Sequence, residues 1–451
     1  MTTRTRLTAV GHAAHVLAEG HTVLLIDPWL AGAAFDDGWE QYTRPVLDPA
    51  LRDRLTQVWI SHEHPDHFSP ASLRALPGEI RARCTVLFQD TVDGRVVDLC
   101  RRIGFGEVTT MPDRTWVDIG ELSAMCVQHD HGDSYLAVRT AQGVVVNLND
   151  CVIARRGDIA DVGRLVGERP RLLLTQFSYA NKVGGPDDTM ARRRAATEVL
   201  DRLVAQADGL PPEVIVPSAS FVWFCHEEND YLNDAITPVS RAVARIVEDT
   251  GADPLVLTPG DTWDLATRPP SPDDAVARYD ADLERARRTG TRRRSAARSL
   301  AELIELGGVF ADDLVAANGR FTLRLLGAIG YLRPIRVALT DLGLTVTIGV
   351  DGVEMSPAHS ADLSASSAAI DYLLRHPYGG SALMSSGRFT AVAGGSPSRF
   401  YRLVRLRDIN NAGGTARGLM SFRLRRKARN LRALLTPRRA PAGRIRSATT
   451  R

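Results

Sequence analysis

The stretch QVWISHEHPDH, residues 57–67, decides how this chain is interpreted. Its first half, Gln57 to Ser61, has the apolar character of a short buried strand. Its second half places three histidines and an aspartate within six residues, directly at the end of that strand. Sheets that alternate with helices carry their ligand sites at strand ends, so this order favours a functional site over a histidine-rich surface loop.

The residue types in this stretch point to metal binding. Neutral imidazoles and a carboxylate are typical ligands of zinc or iron. His62 and His64, two positions apart, can bind one ion, and Asp66 and His67 can bind a second ion beside it. The sequence therefore predicts two divalent metal ions, zinc or iron, at this strand end.

The surrounding sequence predicts an α/β architecture. Short apolar runs follow one another through residues 7–27, and CTVLF (84–88), RLLLTQF (171–177) and EVIVPSA (213–219) continue the strand pattern. Residues 187–207 have apolar positions at helical spacing, and a second helix is expected from Glu228 to Gly251. Helices interleaved with strands indicate layers of helices over sheets.

The character of the chain changes after a proline-rich stretch at 268–274. Residues 1–268 are expected to form the catalytic domain, 269–300 a charged helical linker, 301–410 a second α+β domain, and 411–451 a basic tail. FTLRLLG (321–327), IRVALTD (335–341) and LTVTIGVDG (344–352) are predicted antiparallel strands of the second domain.

Composition narrows the class of protein further. Five scattered cysteines, none in C-x-x-C or C-x-H spacing, indicate reduced core thiols. No N-terminal signal peptide and no apolar run of roughly 20 residues are evident, so a cytoplasmic location is expected. Twelve Arg or Lys and no acid lie between Arg417 and Arg451, which leaves the remainder of the chain net acidic. Such a tail can contact an anionic surface or the acidic body of the chain.

The H-x-H-x-D-H motif at His62–His67 resembles the signature of the metallo-β-lactamase superfamily. The resemblance implies an αββα sandwich and three further ligands from later strands: a histidine, a bridging aspartate and a last histidine. His131 fits the first of these, with His129 as the alternative. Asp150 fits the second, with a strand-end cap as its alternative. His226 fits the third, although a histidine at a helix N-terminus would look the same.

Two further residues match motifs of related proteins. His12, in VGHAAH, is expected to support the site from behind the ligands, and Asp27, in IDPW, to orient a ligand histidine. The family usually has Gly before the bridging aspartate, whereas this chain has Asn149, so a different local turn is expected.

The wider match, over roughly residues 8–235, resembles the branch that contains CMP-N-acetylneuraminate hydroxylase. It rests on GHAAHVL, IDPWLAGAAFDDGW, SHEHPDHFSP, LNLNDC, QFSYAN and FVWFCHEEND. That family also carries a Rieske iron–sulfur domain, and these 451 residues lack its paired Cys-x-His and Cys-x-x-His ligands. The stretch from Ser360 to Phe389 weakly resembles a sterol-carrier fold.

The sequence favours hydrolysis of a small-molecule substrate, with an anionic one left open, by a dinuclear centre in which Asp66 orients a nucleophilic water and accepts its proton. The alternative is an iron-dependent oxygenase, which would need an external electron donor. A metal-site remnant that only binds lipid or nucleic acid is the third alternative. Tyr179, Lys182, Trp223 and Glu227 flank the metal motifs and are the candidate substrate contacts. A homo-oligomer is left open.

Overall fold

The computed structural model describes residues 3–357 and 360–418, without the side chain of His131. The strands of the first domain are β1 (Thr5–Ala9), β2 (His15–Glu19), β3 (Thr22–Ile26), β4 (Trp39–Gln41), β5 (Gln57–Ile60), β6 (Thr85–Gln89), β7 (Glu107–Met111), β8 (Thr115–Ile119), β9 (Leu122–Gln128), β10 (Ser134–Thr140), β11 (Gly143–Asn149), β12 (Pro170–Gln176), β13 (Val214–Ser218), β14 (Val222–Phe224), β15 (Asp253–Pro254) and β16 (Thr262–Asp264). Its helices are α1 (Pro49–Arg52), α2 (Pro70–Ala75), α3 (Gly78–Arg83), α4 (Arg95–Arg102), α5 (Arg156–Val166), α6 (Thr189–Gly209), α7 (Val239–Asp249) and α8 (Asp273–Thr289). Short 3₁₀ helices cover Asp130–Gly132 and Asp230–Ala235.

The described strands of this domain form two large sheets of seven strands each. The first sheet has the order β16-β1-β2-β3-β5-β6-β7 and the second β15-β13-β12-β11-β10-β9-β8. Strands β3, β5, β6 and β7 run parallel, as do β11, β12, β13 and β15. Each sheet therefore has a parallel half, and in such halves the carboxyl ends of neighbouring strands meet at one edge.

The two sheets pack face to face and are covered by helices on their outer sides. Leu17 and Trp59 of the first sheet share one buried cluster with Leu136 and Leu174 of the second. Separate clusters join the outer face of the first sheet to α2–α4 and that of the second sheet to α5–α8. This is the αββα sandwich that the sequence predicts, and the prediction is confirmed.

Residues 300–411 form the expected α+β domain around its own core. Its helices are α9 (Leu300–Asn318), α10 (Arg320–Ala328), α11 (Ser367–Arg375), α12 (Gly379–Ser386) and α13 (Ser398–Asn411). Its strands are β17 (Ile335–Leu339), β18 (Leu344–Gly349), β19 (Gly352–Met355), β20 (Leu363–Ala365) and β21 (Thr390–Ala391). The described strands pair in the order β19-β18-β17-β20-β21.

Three sequence expectations about these elements are corrected. FTLRLLG is helix α10, because Leu323 and Leu326 face the core at helical spacing while Phe321 is exposed. The helix expected from Glu228 to Gly251 is divided into a 3₁₀ turn and α7, with Pro238 at the start of α7. The presumed linker helix α8 packs into the first domain's core, to which it contributes Tyr279 and Leu283.

Other expectations fall partly outside the described residues. The basic tail beyond Gly418, and with it the expected contact of that tail with an anionic surface, lies outside them. The five cysteines are free and buried, as expected for reduced core thiols. Among the residues that the structure describes, no helix is both long and apolar enough to cross a membrane.

We predict that the layer between the sheets dominates the stability of the first domain. Leu17 is fully buried there, so Leu17→Ala should lower the free energy of unfolding by about 2–5 kcal/mol through lost burial and a residual cavity. Val247→Ala, at a residue 62% exposed on α7, is the control and should change it by about 0.5 kcal/mol or less. Urea denaturation followed by circular dichroism measures both. Equal effects of the two variants would contradict the assigned core.

Candidate metal centre

The histidine-rich stretch lies where the two sheets bring several strand ends together. His62–His67 follows the carboxyl end of β5, Asp27 follows β3, and Asp150 follows β11. His12 lies in the turn between β1 and β2. Neighbouring parallel strands place these ends at the same edge, which is how residues distant in sequence reach one centre.

The first group of donor atoms combines His62, His64 and Asp133. The Nε2 atom of His62 lies 2.8 Å from Nδ1 of His64 and 3.8 Å from Oδ1 of Asp133. His62 is buried, while His64 and Asp133 are partly exposed. Two imidazoles and one carboxylate thus face each other on the more open side of the cluster.

The second group combines His12, Asp66 and His67, all of which are buried. The Oδ2 atom of Asp66 lies 3.3 Å from Nε2 of His12 and 3.3 Å from Nε2 of His67. The sequence places His12 behind the ligands, whereas its ring nitrogen faces the same carboxylate as His67. His12 is therefore a candidate ligand.

Asp150 lies between the two groups. Its Oδ2 atom is 3.3 Å from Nε2 of His67 and 3.8 Å from Nε2 of His62. Its other oxygen, Oδ1, accepts a hydrogen bond of 2.8 Å from Nε2 of Gln176. One carboxylate oxygen is thus fixed by an amide, and the other faces one histidine of each group.

The buried carboxylate of Asp27 fixes the orientation of this cluster. It lies 3.0 Å from Nδ1 of His67 and accepts hydrogen bonds from the backbone and side chain of Ser61 at 2.7 and 2.8 Å. The Ser61 hydroxyl lies 2.9 Å from Nδ1 of His62. With their Nδ1 atoms engaged in this way, both histidines turn Nε2 toward the cluster. Carboxylates that lie behind the histidine ligands of metal sites commonly fix the ring orientation in this manner.

Asn149 supplies a further contact to Asp27 from an unusual backbone conformation. Its φ is +52°, in the left-handed region that glycine favours, and asparagine is among the side chains that tolerate it. Its Nδ2 donates a 2.5 Å hydrogen bond to Asp27. The expected departure from a glycine-type turn is corrected, because Asn149 itself adopts the glycine-like conformation.

The charges of the cluster influence one another strongly. Burial raises the pKa of Asp66, but the neighbouring His67 and His12 outweigh this and hold it well below its usual value. Burial lowers the pKa of His67, yet the carboxylates of Asp150, Asp66 and Asp27 raise it well above the usual range. For His62, burial and the adjacent histidines lower the pKa. The carboxylates are therefore held in the ionised form that a cation needs.

Several buried polar atoms of the cluster have no hydrogen-bond partner among the residues that the structure describes. They are both ring nitrogens of His12, Oδ1 of Asp66 and Nε2 of His67. Most buried polar atoms in proteins are satisfied, so a concentration of such atoms needs an explanation. Imidazole nitrogens and carboxylate oxygens that converge within 4.8 Å of one another fit a cation. The residues present therefore suit the metal ions that the motif implies.

The structure brings together five of the seven ligands expected from the sequence: His62, His64, Asp66, His67 and Asp150. The side chain of His131 lies outside the described part of the structure, although its backbone belongs to the turn Asp130–Gly132. His129, the alternative, joins none of the donor groups found among the described residues.

The structure does not bring His226, the expected last ligand, into the donor groups of the described residues. His226 follows β14, which pairs with β4 in a small separate sheet instead of extending either large sheet. Its Nε2 lies 3.2 Å from the Ser295 hydroxyl, and its Nδ1 lies 3.5 Å from Glu228. It belongs to none of the donor groups that the described residues form.

The expected substrate contacts have other partners. The Tyr179 hydroxyl donates to the backbone oxygen of Leu232, and buried Trp223 packs beneath the guanidinium of Arg292. Glu227 forms an ion pair with Arg294.

Lys182 is the fourth of these expected contacts. Its Nζ donates 2.9 and 2.8 Å hydrogen bonds to Gly184 and Tyr231 and lies 4.7 Å from the Phe389 ring centre. Burial lowers its pKa to about 8. None of the four belongs to a donor group among the described residues, and their contact with a substrate stays a prediction.

Asp133 is the residue that the sequence interpretation missed. It lies directly before β10, in the run HDHGDS, which also contains the two histidines considered as ligands, His129 and His131. A signal existed, because an acidic residue at a strand end beside these histidines is itself a ligand candidate.

Comparison with known proteins agrees with this architecture. Residues 6–152 match the family model of the beta-lactamase superfamily domain. The region contains β1–β11 and every member of the donor groups described above. The resemblance expected from the H-x-H-x-D-H motif is thereby confirmed for this region.

The relatives are distant and cover only part of the chain. The cytidine monophosphate-N-acetylneuraminic acid hydroxylase of Danio rerio is 24% identical over 278 residues, which are 58% of this chain and 46% of that protein. The chain thus spans about half the length of the curated relatives it matches.

Solved structures with a similar fold include one enzyme named as a hydroxylase and one named as a hydrolase. The diiron β-hydroxylase CmlA from Streptomyces venezuelae has 18% identity and a TM-score of 0.39, over 58% of this chain and 53% of CmlA. The isothiocyanate hydrolase from Delia radicum gut bacteria has 16% identity and a TM-score of 0.42, over 57% of this chain and 98% of that enzyme.

We predict that Asn149 supports the centre through both its backbone and its amide. Asn149→Ala should destabilise the protein by about 2–4 kcal/mol, since it adds strain at positive φ and removes a hydrogen bond to a buried carboxylate. Asn149→Gly removes the same hydrogen bond but fits the backbone, so it should recover about 1–2 kcal/mol of the loss. Urea denaturation of both variants tests this, and equal stabilities would show that the conformation has no part.

Proposed function

We propose that the chain is a dinuclear metal-dependent enzyme that, loaded with iron, hydroxylates a small molecule. The observation that carries this proposal is the group His62, His64 and Asp133, two histidines and one carboxylate on the more open side of the centre. Two histidines and one carboxylate are the ligand types that would hold iron in a non-haem iron oxygenase. The matched hydroxylases are named for the same class of reaction, which supports the proposal.

Each residue of the centre has a defined part in this proposal. His62, His64 and Asp133 would hold one ion, and His12, Asp66 and His67 the other, with Asp150 facing both. Asp27 holds His67 directly and His62 through Ser61. When bound, iron supplies the oxygen chemistry, with electrons from an external donor, while zinc supplies Lewis acidity for hydrolysis.

Hydrolysis is the second candidate because of the position of Asp66. Its Oδ1 atom is buried and has no hydrogen-bond partner in the described part of the chain, while its Oδ2 faces two histidines. A carboxylate with one oxygen uncommitted can orient a water molecule and accept its proton. This role, expected from the sequence, requires zinc or another Lewis acid and neither oxygen nor a reductant.

One experiment separates the two candidates. The full-length protein is prepared in iron-loaded and zinc-loaded forms without oxygen. Oxygen uptake is then measured with a chemical reductant, with and without cytidine monophosphate-N-acetylneuraminate as a first substrate probe. Hydrolysis of nitrophenyl esters and phosphodiesters is measured in parallel. We expect reductant-dependent oxygen uptake by the iron form alone. Ester or phosphodiester turnover by the zinc form, without oxygen uptake by the iron form, would contradict the proposal.

A substitution at Asp133 tests the donor assignment. We expect Asp133→Ala to lower the metal content from about two ions per chain to about one, because one ligand group loses its carboxylate. Asp133→His should restore the second ion and shift the preference toward zinc, since three imidazoles form a zinc-type ligand set. Exposed Asp130 provides the control Asp130→Ala, with metal content unchanged. Elemental analysis after dialysis measures all four proteins, and an unaltered metal content in Asp133→Ala would exclude this ligand.

A further inference from the structure

The second domain reaches the loops around the metal centre through a fully buried arginine. Arg388 follows α12, and its side chain is 0% exposed. Its Nε donates a 2.7 Å hydrogen bond to Glu228, and a terminal nitrogen donates one of 3.0 Å to the Ser295 hydroxyl. The other terminal nitrogen donates to the backbone oxygen of Asp36 at 2.6 Å and pairs with its carboxylate. Two carboxylates of the first domain thus depend on one cation of the second.

The segment that Arg388 holds has a strained backbone. Phe35, Asp36 and Asp37 have φ values of +53°, +57° and +57°, three consecutive residues other than glycine in the left-handed region. Such conformations persist only where the surroundings impose them. The Phe35 ring is buried, and its centre lies 5.5 Å from that of His64 in an edge-on contact. The arginine therefore holds in place the loop that packs against this histidine.

A second contact of the second domain leads to Glu63, the residue next to His64 in the chain. The Tyr378 ring of the second domain lies against the guanidinium of Arg95, 4.3 Å from the ring centre. That guanidinium is 3.4 Å from Glu63 and 2.7 Å from Asp93. Glu63 is the residue between His62 and His64 in the chain. The second domain thus reaches neighbours of His64 by two routes, through Asp36 and through Arg95.

The other histidines of the centre are held within the first domain. Among the described residues, the hydrogen bonds of Asp27 orient His67 directly and His62 through Ser61. His12 packs edge-on against Trp29, with ring centres 5.6 Å apart. His64 is partly exposed and packs against Phe35. His64 is therefore a donor whose neighbours the second domain contacts, while His62 of the same group is held by the first domain.

We propose that Arg388 and Tyr378 are positioning residues by which the second domain sets the affinity of one metal position, the one formed by His62, His64 and Asp133. The position formed by His12, Asp66 and His67 does not depend on them. This inference rests on the proposed dinuclear centre. It makes the second domain part of the metal site instead of an appended module.

Titration of the metal-free, full-length protein with cobalt tests the inference without any assay of activity. Isothermal calorimetry gives the two affinities, and the visible absorption of bound cobalt reports the ligand geometry. For Arg388→Ala we expect one equivalent to bind about 10–100-fold more weakly, the range usual for lost support of a ligand, and the other to change less than about twofold. Tyr378→Leu should act in the same direction with a smaller effect. Arg388→Lys should recover part of the loss because it keeps the positive charge.

Arg192→Ala is the matched control. Arg192 lies on α6 of the first domain and, like Arg388, is 0% exposed. It pairs with the carboxylate of Asp234, which belongs to the same domain. It should lose stability and keep both cobalt affinities. If Arg388→Ala does not fold by circular dichroism, Tyr378→Leu decides. Unchanged affinities in the folded variants, or equal weakening of both equivalents, would overturn the inference. A wild-type protein that binds fewer than two cobalt ions would instead refute the dinuclear centre.

Discussion

The metal centre depends on the hydrogen bonds that the carboxylate of Asp27 makes. Asp27 is buried at the end of β3 and has a φ of +42°, so its own backbone is constrained. It links Ser61 and His67, which follow β5, with Asn149 at the end of β11. A buried carboxylate is costly unless it accepts several hydrogen bonds, and here those bonds also fix the orientation of the histidines. Stability and ligand geometry are thus set by the same contacts.

The sandwich explains why such a network can form. Both large sheets have a parallel half, and the ends of β3, β5 and β11 meet at one edge between them. The residues after these strands are short turns on a rigid core, so little freedom is left to the side chains that converge there. Phe35 packs against His64, and Arg388 of the second domain pairs with the adjacent Asp36. Tyr378 of the same domain packs on Arg95, which lies 3.4 Å from Glu63.

The fold and part of the centre could be predicted because their signals are local. The order His62, His64, Asp66, His67 after a strand specifies a strand-end site by itself. Asp133 was missed because its role depends on how the turn before β10 is placed against His62, which no spacing rule reports. His226 stands apart from the donor groups of the described residues because β14, which it follows, belongs to a separate small sheet. Helix α10 was misread because FTLRLLG is too short to separate strand from helix periodicity.

The proposed function requires two iron ions in a centre of histidines and carboxylates. Mössbauer spectroscopy of the full-length protein, loaded with iron under anaerobic conditions and compared with its elemental content, tests this most directly. We expect two high-spin ferrous ions per chain in nitrogen and oxygen coordination, which couple magnetically after oxidation. A single iron per chain, or iron bound so weakly that dialysis removes it while zinc is retained at two per chain, would contradict it.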